Sequence, residues 1–188
     1  YLLLTFDGTT KAELEASYQK VADICLENGA LDVFISDTQE RQESIWKARG
    51  AFLEAIKTST PEMDECDVVV PRTALGSFMS FVDMLEKSHG LRIRSFGHAG
   101  DGNLHIYLCK DGLSTEDWKE KCGAVMGSLY KESKIKGGQI SGEHGIGHAK
   151  KGYLEQSLGR DIMSLMAGIK KAFDPGNILN PGKIVSPE

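Results

Sequence analysis

Apolar and polar positions alternate in two periods along the chain, and the switches between them mark its elements. Leu2, Leu3, Leu4 and Phe6 form an apolar run closed by Asp7-Gly8, which predicts a strand over 1–6. Thr9 or Thr10 then caps a helix reaching about Glu27, terminated by Asn28-Gly29. Leu31 to Ile35 predicts a second strand, and Asp37 caps a long helix through Ile45, Trp46, Arg49, Phe52 and Leu53. Thr58 to Asp64, with Pro61, reads as a loop. The order then repeats. Cys66 to Val70 is a strand-like run stopped by Pro71, and 73–88 places Leu75, Phe78, Met79, Val82 and Leu85 at helical spacing before His89-Gly90. Leu91 to Gly97 and Leu104 to Leu108 predict strands flanking a glycine-rich turn. A helix over about 115–135, a short strand at Gln139-Ile140, a helix from about Arg160 to Phe173 and an extended tail from Asp174 to Lys183 complete the pattern.

Two β-α-β-like passes, the second followed by a hairpin, predict an α+β fold: a ferredoxin-like antiparallel sheet with helices on one face. The other face must then meet something else. The chain opens inside an apolar run, without Met, as expected of a segment cut from a longer protein.

Composition narrows the function classes. The 188 residues suffice for one domain with a sizeable core, and 40% apolar with 26% charged residues is ordinary for a globular protein. A net charge of −5 without a basic block argues against nucleic acid. No apolar run approaches the ~18–20 residues of a transmembrane segment, and no secretory leader is visible. Cys25, Cys66, Cys109 and Cys122 form no C-x-x-C pair and read as reduced thiols of a cytoplasmic protein. The informative count is 21 glycines, two clusters of which hold three of the five histidines.

The first cluster, 97–105, reads Gly-His-Ala-Gly-Asp-Gly-Asn-Leu-His. A two-residue turn centred on Asp101-Gly102 would place His98 opposite His105. Directly opposed residues share a face with Cβ atoms roughly 4.5–5.5 Å apart, close enough for two imidazoles to close on one metal ion. The competing reading is a hairpin whose histidines only hydrogen-bond locally. The second cluster, 141–147, reads Ser-Gly-Glu-His-Gly-Ile-Gly. Gly142 and Gly145 allow a backbone closed to bulkier residues. In a regular strand Glu143 and His144 would face opposite ways, one toward a metal and the other toward a substrate. A His-His-carboxylate set suits zinc, manganese or iron as a Lewis acid with open positions. His144 would be free to act as a base. A glycine-rich turn with exposed polar residues is the alternative. Neither cluster follows a phosphate-binding or dinucleotide-binding glycine pattern.

Both clusters, together with Phe173-Asp174-Pro175 and Leu179-Asn180-Pro181-Gly182-Lys183, resemble the C-terminal domain of FAD-linked oxidases. The specific relatives the chain resembles are the glycolate oxidase FAD subunit and D-lactate dehydrogenase group, within the vanillyl-alcohol oxidase superfamily. The resemblance implies that 1–188 is a cap and substrate domain, with an N-terminal FAD-binding domain outside the chain holding most of the FAD. It implies His98, His105 and Glu143 as ligands of a divalent Zn, Mn or Fe ion, and His144 as the base that takes the hydroxyl proton. Arg49 stands where relatives place an arginine for the substrate carboxylate, and Asn180 and Lys183 lie in the terminal motif that approaches the flavin. The activity implied is oxidation of glycolate or D-lactate to the 2-oxo acid, with hydride transfer to FAD. A redox partner subunit or electron-transfer protein is the expected electron partner, and any membrane association would be made through it. Relatives acting on D-2-hydroxyglutarate carry lysine near Glu65 and asparagine near Tyr107, so these two departures favour a shorter acid. Two other readings stay open: a flavin-independent metal hydrolase and a metal-free interaction module. The chain alone is expected to fold without dehydrogenase activity.

Overall fold

The computed structural model describes residues 1–185. The chain divides into two compact units between Ala51 and Phe52. In the first, α1 spans Lys11–Glu27 and α2 spans Gln39–Gly50. Thr10 and Glu13 close a reciprocal capping box at the start of α1, which satisfies two backbone donors that the helix leaves unpaired. Thr38, rather than Asp37, caps α2. The helix predicted through Leu53 ends at Gly50, the residue least suited to a helix interior after proline, and α3 starts afresh at Phe52–Ser59. The strands predicted over 1–6 and 31–35 do not form. A strand exists only through its ladder, and none of the described residues pairs with either run; Leu2, Leu31 and Phe34 stay exposed.

The second unit carries the sheet. β1 is Met63–Val69, β2 is Arg92–His98 and β3 is Asn103–Cys109, in the order β1-β3-β2. Both outer strands run antiparallel to β3, so β1 and β2 are parallel to each other, joined by α4 (Leu75–His89). This is the split β-α-β of a ferredoxin-like fold. An antiparallel bridge between Val69 and Gln139 adds a vestigial fourth strand beside β1, after α5 (Thr115–Ile135). Side-chain alternation sorts the faces. Cys66, Val68, Ile93, Leu104, Ile106 and Leu108 turn toward Phe78, Val82 and Leu85 of α4 and Trp118, Val125 and Leu129 of α5. Each buried Val, Leu, Ile or Phe among them stabilises the fold by about 1.5–3 kcal/mol relative to exposure.

The remaining helices are α6 (Lys151–Leu158) and α7 (Arg160–Phe173). The hydrophobic pattern did not predict α6: it is two turns long, contains Gly152 and has no side-chain cap, and it is held by Leu154 and a Tyr153–Tyr130 ring contact at 4.4 Å. The tail is turned rather than extended. The Asp174 carboxylate accepts from Ile178 N at 3.0 Å and Leu179 N at 2.9 Å, winding the chain through Asn177 and Asn180, both at positive φ.

Candidate histidine-carboxylate site

The sheet face turned away from α4 and α5 carries most of the strands' charged and hydrogen-bonding side chains. The register stacks Glu65, Tyr107 and Arg94 in one row, Asp67, His105 and Phe96 in the next, and Val69, Asn103 and His98 in the last. His98 therefore pairs with Asn103, two residues from the expected register, and the loop is Ala99–Gly102 rather than a two-residue turn. Gly102 is committed elsewhere: its carbonyl accepts from Val70 N at 2.9 Å, and a Cβ there would lie 2.0 Å from Val70 O. A shift of two keeps side-chain parity, so the two imidazoles still share a face, now as diagonal neighbours with ring centres 5.7 Å apart.

Loop 141–144 lies over this face, and Asp67 holds it there. The Asp67 side chain is fully buried. Its Oδ2 accepts from Ser141 Oγ at 3.1 Å and from the backbone N–H groups of Gly142 (3.0 Å), Glu143 (3.2 Å) and His144 (3.1 Å). Oδ1 accepts from Asn103 Nδ2 at 2.7 Å, and the Lys150 ammonium stands 3.5 Å from Oδ2. Burial alone would raise this carboxyl's pKa, but the His144 N–H, the Asn103 amide, Lys150 and the Glu143 N–H outweigh it. Asp67 sits far below the usual carboxylate range. Gly142 is needed for space: a Cβ would fall 2.0 Å from Asn103 Nδ2 and 2.8 Å from Asp67 Oδ1. Gly145 supplies the positive φ, +74°, expected of the motif.

The loop sends Glu143 and His144 into the same cluster, not to opposite faces, because this segment is not a strand. Glu143 Oε1 lies 3.2 Å from His105 Nε2 and 3.8 Å from His98 Nε2. The His144 ring stacks on His105 at 5.0 Å and 25°. His105 is buried, whereas the side chains of His98, Glu143 and His144 are 46, 54 and 43% exposed, so the cluster opens on one side. One donor atom from each of His98, His105 and Glu143 falls within 4.8 Å of the others, and the same holds for Glu65, His105 and His144. Two imidazole nitrogens and a carboxylate oxygen at this spacing fit a divalent Zn, Mn or Fe ion.

Asp67 has no role in the sequence reading, and Glu65 only one in substrate length. Asp67 and the structural part of Glu65 show only as acidic residues alternating with Cys66 and Val68, a pattern that would have placed both on the polar face. The other candidates lie apart from this cluster in the sequence. Arg49 sits in the last turn of α2, in the first unit. Asn180 and Lys183 occupy the tail turn, where Lys183 N donates to Asn180 O at 3.3 Å. That tail is tied to the second glycine cluster, since Ile184 N donates to Gly147 O at 2.8 Å and Lys151 Nζ to Gly182 O at 3.3 Å. All four cysteines are free thiols, and no described helix is long and apolar enough to cross a membrane.

Fold and cluster together define an α+β domain carrying a histidine-carboxylate site on the sheet face turned away from α4 and α5. The chain belongs to the family described as FAD linked oxidases, C-terminal domain, which matches residues 1–184. It is 47% identical over 184 residues to a D-lactate dehydrogenase of Anaerostipes hadrus, covering 98% of this chain and 39% of that protein. It is 33% identical over 183 residues to glycolate oxidase subunit GlcD of Bacillus subtilis (97% and 38%). Identity to a D-2-hydroxyglutarate dehydrogenase of Stutzerimonas stutzeri is 34% over 188 residues (98% and 40%). The chain thus spans about two fifths of the length of these relatives.

Proposed function

We propose that the protein containing this chain oxidises a short D-2-hydroxy acid, D-lactate or glycolate, to its 2-oxo acid with FAD as electron acceptor. In this reading a divalent ion is held by His98, His105 and Glu143. The observation that carries it is the convergence of those three side chains, with His144 stacked beside them, at the sheet face turned away from α4 and α5. When bound, FAD supplies a two-electron acceptor and the ion supplies Lewis-acid polarisation of the α-hydroxyl.

The chain's own residues supply position and proton transfer. His144 Nε2 takes the hydroxyl proton while the α-hydrogen leaves with its electron pair and the C–O bond becomes C=O. Arg49 offers a bidentate guanidinium to the substrate carboxylate. Asn180 and Lys183 would contact the flavin, most of which would be held by the part of the protein outside this chain. Reoxidation falls to a redox partner subunit or electron-transfer protein. The higher identity to a D-lactate dehydrogenase, 47% against 34% to a D-2-hydroxyglutarate dehydrogenase, supports the short acid, as does the Glu65 carboxylate beside His105 and His144, which would repel a second substrate carboxylate.

Elemental analysis of the full-length parent, with turnover of D-lactate, glycolate and D-2-hydroxyglutarate, tests this. The expected result is one equivalent of divalent ion, lost together with activity in the His98→Ala, His105→Ala double variant. An active parent free of metal would refute the ion, and a preference for D-2-hydroxyglutarate would refute the short substrate.

A further inference from the structure

A single oxygen joins the two stacked histidines. Glu65 Oε1 accepts from Tyr107 Oη at 2.9 Å and lies 3.2 Å from His105 Nδ1 and 3.5 Å from His144 Nδ1. On the other side of the stack, Glu143 Oε1 lies 3.2 Å from His105 Nε2 and 3.9 Å from His144 Nε2. Both rings are therefore laid in the same sense, Nδ1 toward Glu65 and Nε2 toward Glu143, with Asp67 Oδ1 a more distant 4.0 Å from His105 Nδ1. A neutral imidazole carries one proton, and an ionised carboxylate can only accept it. The two carboxylates compete for it unequally. Glu65 is anchored by Tyr107 and its side chain is 29% exposed, whereas Glu143 is 54% exposed, and His144 is nearer Glu65 than Glu143.

We propose that Glu65 is a positioning residue that sets the tautomer of both rings at once. Nδ1–H of His105 and Nδ1–H of His144 point to Glu65. That leaves the Nε2 lone pair of His105 for the ion and the Nε2 lone pair of His144 for the substrate proton. A carboxylate behind a metal-binding histidine raises the basicity of the ligand and fixes its ring. A carboxylate behind a catalytic histidine fixes the nitrogen that acts as base. Here one carboxylate does both, because β1 places Glu65 in the row next to His105 while Asp67, two residues on, holds the loop that carries His144. This inference rests on the function proposed above and assigns Glu65 a role beyond charge selection.

The test uses the full-length, FAD-loaded protein with Glu65→Gln and Glu65→Asp, folding being checked by the flavin absorbance spectrum. Zn2+ affinity, read by competition with a chelator, should fall about 10–100-fold in E65Q. At saturating Zn2+, kcat for D-lactate should still fall by about 100-fold or more, with KM unchanged, because the base remains misoriented. E65D, which retains the carboxylate, should recover part of both losses. Wild-type Zn2+ affinity and kcat in E65Q would overturn the proposal. A parent that keeps full activity after chelation of its metal would overturn the ion and the His105 half of the inference. Unchanged kcat in E65Q would overturn the His144 half.

Discussion

Asp67 shows how much of the site depends on a residue that never touches substrate in the proposed reaction. Its buried oxygens accept the Asn103 amide, the Ser141 hydroxyl and three successive backbone N–H groups, with Lys150 as counter-charge. An asparagine of the same shape would turn an N–H2 group toward some of these donors and leave Lys150, itself only 13% exposed, without its carboxylate. Asp67→Asn should therefore cost about 3 kcal/mol or more, since breaking a buried charge pair leaves the other charge uncompensated. The same change frees loop 141–144 and with it Glu143 and His144. Urea unfolding read by tryptophan fluorescence measures the first effect and Zn2+ competition the second. A variant with a wild-type midpoint would show that the loop is held by other means. In the sequence Asp67 is legible only as a polar residue within the Cys66–Val70 run, and Glu65, just before that run, only through its bearing on substrate length. Their partners come from loop 141–144 and β3, and no local pattern joins segments that far apart.

Elements with their own period and punctuation were readable; those defined by distant partners were not. α5 runs from Thr115 to Ile135 as its spacing predicts, and α4 ends at Gly90 as expected. The sequence pattern puts His98 and His105 on the correct face and in the wrong register, because Asp101-Gly102 resembles a two-residue turn while the Gly102 carbonyl accepts from Val70, just past the end of β1. The apolar runs at 1–6 and 31–35 had strand composition but no ladder. Burial at element level carries a chemical consequence for the thiols. Cys66 lies on the core face of β1 and Cys122 on the inner face of α5. Burial first, then the Asp64 carboxylate, pushes the Cys122 thiol up to about 12, and burial raises Cys66 further. A raised thiol pKa means less thiolate, about one part in ten thousand for Cys122 at pH 8, and thiolate is the reactive form. Native protein at pH 8 should label at Cys122 and Cys66 with N-ethylmaleimide far more slowly than urea-unfolded protein, as peptide mass spectrometry would read. Equal rates would mean that the α5–sheet core is open.

At the scale of the whole chain, α7 is the element whose surface departs furthest from what water allows. Met163 and Met166 pack inward against the core of the second unit. On the outer side Ile162 is 45% exposed, Leu165 62%, Ile169 54% and Phe173 85%, a stripe at i, i+3, i+7 and i+11. Ile178 and Leu179, in the tail that follows, are likewise exposed. A surface helix of a globular domain turns charged residues to solvent, and one that is apolar on two sides gains stability only when both are covered. Contiguous apolar patches of this kind drive association when nothing else covers them. The 188-residue chain expressed alone should therefore self-associate, its weight-average sedimentation coefficient rising across the micromolar range. The Leu165→Glu, Ile169→Glu double variant places two charges on the outer stripe and leaves Met163 and Met166 in place. It should sediment as a monomer with unchanged far-ultraviolet circular dichroism. If the unaltered chain is already monomeric throughout that range, the stripe is not the determinant. If the double variant loses its helical signal, the outer side of α7 is needed for folding of the chain itself rather than for contact beyond it.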